Sequence, residues 1–462
     1  MMRNYAIVLA AGKGTRMKTE LPKCAFPILK KPMIEYIYEN IEKSDIDETV
    51  VVVGYQKEVL MDILQDRVQY AIQNQQKGTG HAIMSARELM EGKKGTTIIM
   101  LGDMPLVDYR VINKVLKYHA EKHNDLTVLT TKYNQPKGYG RIIRNESGNI
   151  EAIVEHKDCT KEQKRINEVN TGIYVVDNEA LFKEVGNIPL NERKGEYYLT
   201  DIVSIMKQKG YHVDTFELWD SEKVMGVNDL YSVSVAEAYL RREINKNHML
   251  NGVYIVNPET VTIGHNVQIE NNVTIYPNTY ITGESVIKSG SKIGPNTEIH
   301  SSIIHHNVRV QHSLIFDSEI LSDATVGPFA HLRQNAIVGE RNRIGNFVEI
   351  KNSTIGNDTK ASHLAYIGDT VTGTNVNFGC GSITVNYDGV KKHKTIIGND
   401  VFIGCNTNLV APISIGDRVF IAAGSTVTKD VPAGALAIAR NHQINKADYA
   451  KNLIMPKSEQ KD

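Results

Sequence analysis

The sequence carries no excess of either charge: 53 lysines and arginines stand against 53 aspartates and glutamates over 462 residues. A chain so balanced has no global field to draw nucleic acid or an anionic membrane, so recognition has to be local. Cysteine is scarce, and Cys24, Cys159, Cys380 and Cys405 form no C-x-x-C pair. That scatter argues against a zinc site and a disulfide framework, and it fits a reducing cytoplasm. No stretch approaches the ~18 uninterrupted apolar residues of a membrane helix. The apolar run Tyr5 to Ala11 is near the lower length limit of a secretory leader, and Lys13 and Arg16 follow it directly. It therefore reads as a buried first strand. The expectation is a soluble, cytoplasmic protein with neither nucleic acid nor a membrane as partner.

What is present follows two rhythms, and the length alone predicts at least two domains. Up to about residue 228, the β-rich runs YAIVLA, TVVVVG from Thr49, TTIIML from Thr96 and DLTVLT from Asp125 alternate with amphipathic segments such as MIEYIYENI and GHAIMSARELM. This predicts βαβ units on a mostly parallel, Rossmann-like sheet, with ligands at the carboxyl ends of the strands. Residues 230–251 predict one linker helix, with Leu230, Val233, Leu240 and Ile244 on one face, Asp229 as cap and Gly252 as terminator.

Beyond the helix the period becomes six. Ile263, Ile269, Ile275, Ile281, Ile287, Ile293 and Ile299 form one series; Ile320, Val326, Leu332, Val338, Ile344 and Ile350 a second; Ile397, Ile403, Leu409, Ile415, Ile421 and Val427 a third. Neither an α-helix nor an alternating strand makes that period, whereas a parallel β-helix does. The period slips between residues 351 and 396, where His, Tyr, Asn and Lys accumulate. That segment is either a solvated surface loop or a site in a groove where coils or neighbouring subunits meet.

The stretch LAAGKGTRM at residues 9 to 17 has the letters of a Walker A loop in the wrong order, so it is not a P-loop. Gly12 and Gly14 let bare backbone N–H groups approach a phosphate at a strand end. With KTELPK added, the segment from Leu9 to Lys23 spells L-x-x-G-x-G-T-R-M-x-x-x-x-P-K. This resembles the signature of sugar-phosphate nucleotidyltransferases. Displacing pyrophosphate from a nucleoside triphosphate needs donors for phosphate oxygens and a divalent cation. Arg16 and Lys23 supply cations, and Asp103 places a carboxylate directly after TTIIML.

The resemblance implies Mg²⁺ on Asp103 and Asn228. It also implies a nucleotide and sugar site of Leu9, Ala10, Ala11, Gly12, Lys23, Gln73, Gly78, Thr79, Gly102, Gly140, Glu155 and Asn170, with Gln73, Gly78 and Thr79 at the uracil. Along essentially the whole chain the sequence resembles the bacterial bifunctional N-acetylglucosamine-1-phosphate uridyltransferase and glucosamine-1-phosphate N-acetyltransferase family. The implied fold is an α/β Rossmann-like nucleotidyltransferase domain at 1–229, a linker helix at 230–251 and a left-handed parallel β-helix at 252–462.

The implied activity is acetylation of glucosamine-1-phosphate by acetyl-CoA, then uridylyl transfer from UTP, in a homotrimer assembled through the β-helix. An imidazole titrating near neutrality suits proton removal from the sugar amine, which makes His363 the expected base. The family pattern assigns Arg333, Lys351, Tyr366 and Asn377 to the sugar phosphate. It assigns Cys380, Asn386, Tyr387, Lys392, Cys405, Ala423 and Arg440 to acetyl-CoA. Cys24, Cys380 and Cys405 depart from the commonest family spelling, and burial as inert small side chains is the default for cysteine. Two competitors remain at this stage: a single-activity nucleotidyltransferase with a structural or regulatory β-helix, and a catalytically dead sugar-phosphate sensor.

Overall fold

The computed structural model describes residues 3–453. The chain forms two compact units, one ending at Leu240 and one beginning at Arg241.

The first unit is built on a sheet of β1 (Arg3–Leu9), β2 (Glu48–Val53), β3 (Gln69–Ile72), β4 (Gly95–Leu101), β5 (Leu126–Lys132), β6 (Arg141–Arg144), β7 (Ile150–Val154), β8 (Glu168–Asp177) and β9 (Val213–Glu217). Their order is β9-β5-β8-β4-β1-β2-β3, with β6 against β8 and β7 against β6. Alternate residues of β1 serve opposite faces: Ile7 and Leu9 join one apolar cluster, Ala6 and Val8 the other. Helices cover both faces, as an almost wholly apolar strand requires.

Strands β1 to β4 are mutually parallel, so their carboxyl ends share one edge. Strand β8 departs from the expected parallel sheet and runs antiparallel to both β4 and β5. The β6–β7 hairpin leads into it without a helical crossover, so the chain returns in the opposite direction. The segment GHAIMSARELM is also less regular than expected, splitting into helices Thr79–Ser85 and Arg87–Met90.

A helix spans Leu230–Leu250. Asp229 Oδ1 accepts the Ser232 N–H at 2.8 Å, and Gly252 stands past the end at φ 90°. Its buried side runs through Val233, Ala236 and Tyr239, whereas Leu230 is exposed.

The second unit is a left-handed parallel β-helix of short strands stacked coil on coil. All three sequence series point inward: every member except the half-buried Ile269 is buried in one continuous core. Truncating one such residue, for example Ile293→Ala, removes packing from two neighbouring coils and costs roughly 2–5 kcal/mol.

The slip in period has two causes. Coils in the middle are shortened, so Glu298 pairs with Leu314 and Arg343 with Lys360, 16 and 17 residues on, where Phe402 pairs with Phe420, 18 on. One coil is lengthened: Thr370 pairs with Thr395 and Asn377 with Phe402, both 25 residues on. The added residues follow Val385 and precede Thr395. His363 therefore sits in a stacked coil rather than in an interruption, in register with Asn346.

Candidate active sites

The carboxyl ends of β1, β3 and β4 meet at a cavity of about 610 Å³. Its lining includes Leu9, Ala10, Ala11, Gly12, Arg16, Lys23, Gln73, Gly78, Thr79, Asp103 and Glu155. Among the described residues, the backbone N–H groups of Gly12, Lys13 and Gly14 have no hydrogen-bond partner, so the loop presents donors to an anion. Gly14 has φ 66°, and a Cβ there would stand 2.5 Å from that of Lys23. Only glycine lets the loop close over the lysine. Gly102 lies behind the cavity, its N–H donating to Leu9 O at 2.9 Å, and a Cβ there would meet Cys24 Sγ.

Lys23 Nζ contacts Asp103 Oδ2 and donates to Asn228 Oδ1 at 2.7 Å; Arg16 Nη2 reaches the same Asn228 oxygen at 2.6 Å. Asp103 Oδ1 is buried without a hydrogen-bond partner. Two oxygens, one carboxylate and one amide, thus converge beside the cavity, with a third left unsatisfied. This hard donor set fits a divalent cation that completes its shell from phosphate and water. The Ser232 hydroxyl accepts the Asn228 N–H at 2.8 Å, so the start of the long helix holds the Asn228 backbone in place.

Asn170 is already engaged. Its Oδ1 accepts from Gly172 N and its Nδ2 donates to Tyr174 Oη, while its backbone N–H donates to Gly140 O. Gly140 and Asn170 flank the cavity rather than line it. Glu155 is raised by burial above the usual carboxylate range, with Asp158, Asp201 and Glu196 adding to the effect and a Thr200 hydrogen bond opposing it. The sequence reading missed Gln76, Glu196 and Tyr198, which also line the cavity. Glu196 and Tyr198 are brought there by the Glu196–Tyr197 strand, whose Tyr197 N–H donates to Lys77 O at 2.8 Å, a long-range pairing that no local sequence pattern marks.

In the β-helix, Arg333 pairs in register with Lys351, and Lys351 with Gly368, so the two cations stack on one face. Arg333 forks onto Glu349 through Nε and Nη2 at 2.8 and 2.7 Å. Lys351 is buried and donates to Asp369 at 3.1 Å. Burial works to lower the Lys351 pKa, but its hydrogen-bonded neighbours and the Asp369 charge outweigh it and hold the ammonium above its ordinary value. Lys392, exposed on the lengthened coil, is lowered by its hydrogen bond with Lys351 and by that neighbour's like charge. Burial of Asp369 is overcome by donors from Asn352, Lys351 and Asn386, which hold it below the usual carboxylate range. Asn386 Nδ2 also reaches Tyr366 Oη at 3.3 Å. Asp369 is thus the hub that aligns Lys351 and Asn386, a role that the sequence around it did not disclose.

His363 Nδ1 lies 3.0 Å from Asn346 Oδ1. With the Asn346 amide oxygen turned to it, the neutral ring carries its proton on Nδ1 and leaves the Nε2 lone pair free. Asn346, His363, Cys380, Cys405 and Ala423 occupy equivalent corner positions of successive coils, each just before a left-handed residue: Phe347, Leu364, Gly381, Asn406 and Gly424. Cys380 and Cys405 are exposed, against the default for their residue type, because the corner turns them outward from the core. Cys24 is buried, and burial, with the Asp103 charge, pushes its thiol up to about 12. Arg440 reaches Gly424, while Tyr387 is exposed with its hydroxyl donating to Gly389 O at 2.7 Å. Asn377 sits on a different face from Tyr366, between Lys360 and Phe402.

A cation-rich cavity at strand ends and a row of polar corners on a hexapeptide β-helix define a nucleotidyltransferase joined to a second transferase. The nucleotidyl transferase family matches residues 5–231, and the bacterial transferase hexapeptide (six repeats) matches residues 394–429. The bifunctional protein GlmU of Acholeplasma laidlawii is 59% identical over 461 residues, covering 100% of both chains. Those of Listeria welshimeri and Exiguobacterium sp. are each 46% identical over 453 residues, covering 98% and 97% of this chain and 99% and 100% of their own. The chain belongs to the bifunctional GlmU family, and it is a uridyltransferase and an acetyltransferase of UDP-N-acetylglucosamine synthesis in one polypeptide.

Proposed function

We propose that the β-helix acts first, acetylating glucosamine-1-phosphate, and that the α/β unit then transfers UMP from UTP to N-acetylglucosamine-1-phosphate. The convergence of Lys23, Asp103 and Asn228 at the cavity carries the uridylyl half. Mg²⁺ held by Asp103 and Asn228 would offset charge on the triphosphate. Lys23, Arg16 and the Gly12–Gly14 amides bind and orient its phosphates, so that the sugar phosphate oxygen attacks in line and pyrophosphate leaves. At the other site Arg333 and Lys351 hold the sugar phosphate. His363 Nε2 takes the proton released as the sugar amine attacks the thioester carbonyl. The lengthened coil, Cys380, Cys405, Ala423 and Arg440 border the acetyl-CoA.

A homotrimer completes this second site in our reading. Asn377 cannot face the sugar from the same side of its own coil as Tyr366 and is supplied by a neighbouring copy. Phe329, Phe347 and Leu364 support this arrangement: all are more than half exposed at left-handed corners, and the two phenyl rings stack at 5.3 Å. Bulky apolar side chains in such a conformation and in water call for a partner surface. Among the described residues no helix is long and apolar enough to cross a membrane, and the scattered, free cysteines support work in a reducing cytoplasm.

Glucosamine-1-phosphate, acetyl-CoA, UTP and Mg²⁺ supplied together should yield coenzyme A and then pyrophosphate. Starting from N-acetylglucosamine-1-phosphate, pyrophosphate should appear with no coenzyme A. Equal pyrophosphate release from glucosamine-1-phosphate without acetyl-CoA would overturn the order.

We further propose 1–229 as the uridylyl domain, 230–251 as a linker helix whose first turns also support that domain, and 252–462 as the acetyl domain. A fragment that keeps the long helix, residues 1–250, is expected to retain uridylyl transfer as a monomer, because it keeps the Ser232 bond to Asn228 and the Glu237 bond to Leu29 N. A fragment cut at residue 229 loses both and should show a raised KM for Mg²⁺. Equal Mg²⁺ dependence in the two fragments would remove the helix from the site.

The exposed thiols give a further test. An alkylating reagent should abolish acetyl transfer by steric blockage, and saturating acetyl-CoA should slow the loss. Cys380→Ala with Cys405→Ser should be active and resistant, while Cys24, with its high pKa, reacts slowly. Inactivity of the unalkylated double variant, with assembly normal, would show that the sulfurs do more than border the groove.

A further inference from the structure

Gln73, at the end of β3, is 3% exposed, and its amide nitrogen has two neighbours: Gly78 O at 3.1 Å and His81 Nδ1 at 3.0 Å. A carbonyl oxygen can only accept, so the Gly78 contact settles which end of the amide is the NH₂ group. One amide proton serves Gly78 O, and the other points at the imidazole. His81 Nδ1 must then be an acceptor, which makes the ring neutral with its proton on Nε2. Among the described residues no hydrogen bond ends on Gln73 Oε1, while Gln73 lines the cavity beside Gly78 and Thr79.

We infer that His81 is a positioning residue which, together with Gly78 O, locks the Gln73 amide so that Oε1 is offered to the nucleobase. This inference rests on the uridylyl reading of the cavity. An offered oxygen accepts from a ring nitrogen that carries hydrogen, as N3 of uracil does, and repels the bare N3 of cytosine. Turned over, the amide would present NH₂ and reverse the preference. The turned state places Oε1 against Gly78 O and against the His81 lone pair, two acceptor-acceptor contacts that oppose it. Protonating His81 converts the second contact into a hydrogen bond to Oε1 and weakens the lock.

The surroundings favour the neutral ring. Burial lowers the His81 pKa, the Lys77 charge lowers it further, and a backbone bond at Gln75 opposes them. From the facing Glu196–Tyr197 strand, Tyr197 stacks on the ring at 6.2 Å with Glu196 beside it; Arg87 and Glu88 of the following helix share its groove. The lock is therefore set at neutral pH and released only as pH falls below the ordinary histidine range.

The test measures kcat/KM for UTP and for CTP, with N-acetylglucosamine-1-phosphate and Mg²⁺, in the full-length protein and in His81→Ala, His81→Asn and Gln73→Ala. In His81→Ala the preference for UTP should fall about fivefold, mainly through KM, as one of two locking hydrogen bonds is lost. His81→Asn offers an amide oxygen in the place of Nδ1 and should restore it. The KM for UTP should rise at low pH in the unmodified protein and stay flat in His81→Asn; this comparison decides the matter if His81→Ala does not fold. Preference lost in Gln73→Ala but intact in His81→Ala, with identical pH profiles in the unmodified protein and His81→Asn, would overturn the role of His81 alone. Preference intact in Gln73→Ala would instead overturn the placement of the base.

Discussion

Replacing His363 with alanine is expected to lower acetyl transfer by roughly 10²-fold or more, while uridylyl transfer to N-acetylglucosamine-1-phosphate continues unchanged. The magnitude follows from the geometry of one hydrogen bond. Asn346 Oδ1 holds Nδ1–H at 3.0 Å, which fixes the ring and leaves Nε2 as the basic atom. Alanine removes the proton acceptor altogether; Asn346→Ala leaves it but frees the ring and its tautomer. That second variant should lose less activity, and its loss should lie in kcat rather than in the KM for either substrate. Coenzyme A release reads the effect. A fall of less than tenfold in assembled His363→Ala protein would mean that another group or solvent takes the proton.

The sequence and the structure agree most closely where a side chain repeats. The hexads place aliphatic residues on one internal stack because a coil of short flat strands admits no other arrangement, so the β-helix was legible from Ile263 onward. The strand-end loop from Leu9 to Lys23 was legible for a related reason: glycine, cation and proline spacing reflects local backbone demands, such as the close approach of Gly14 to Lys23. Residues whose importance arises from stacking were not legible. Asn346 and Asp369 meet His363 and Lys351 only because a coil of 17 residues sets His363 in register with Asn346 and places Asp369 one residue past the partner of Lys351. Nothing local marks either one. The same applies to β8, whose antiparallel course is decided by the hairpin before it rather than by its own residues. Cys380 and Cys405 show the limit of residue type as a guide, since a corner position turns outward whatever small side chain it carries.

Asp103→Ala should produce the opposite loss, lowering uridylyl transfer by roughly 10³-fold, in keeping with the several kcal/mol that a bound cation contributes to phosphoryl chemistry, with acetyl transfer retained. Two effects combine in that substitution. The variant removes the carboxylate in direct contact with Lys23, so Lys23 Nζ keeps Asn228 Oδ1 as its hydrogen-bond partner, and it removes the unsatisfied Oδ1. Asp103→Asn separates the two. An amide oxygen can still accept from Lys23, so folding and the Gly102–Asp103 turn should survive, yet the charge that draws a divalent cation is gone. The KM for Mg²⁺ should therefore rise steeply in Asp103→Asn while thermal stability stays near that of the unmodified protein. Asp103→Ala should lose both, because it leaves a largely buried ammonium without its counter-charge. A Mg²⁺ dependence unaltered in Asp103→Asn would move the cation elsewhere in the cavity. Equal impairment of both reactions by Asp103→Ala and by His363→Ala, in folded protein, would show that the two halves do not catalyse separately.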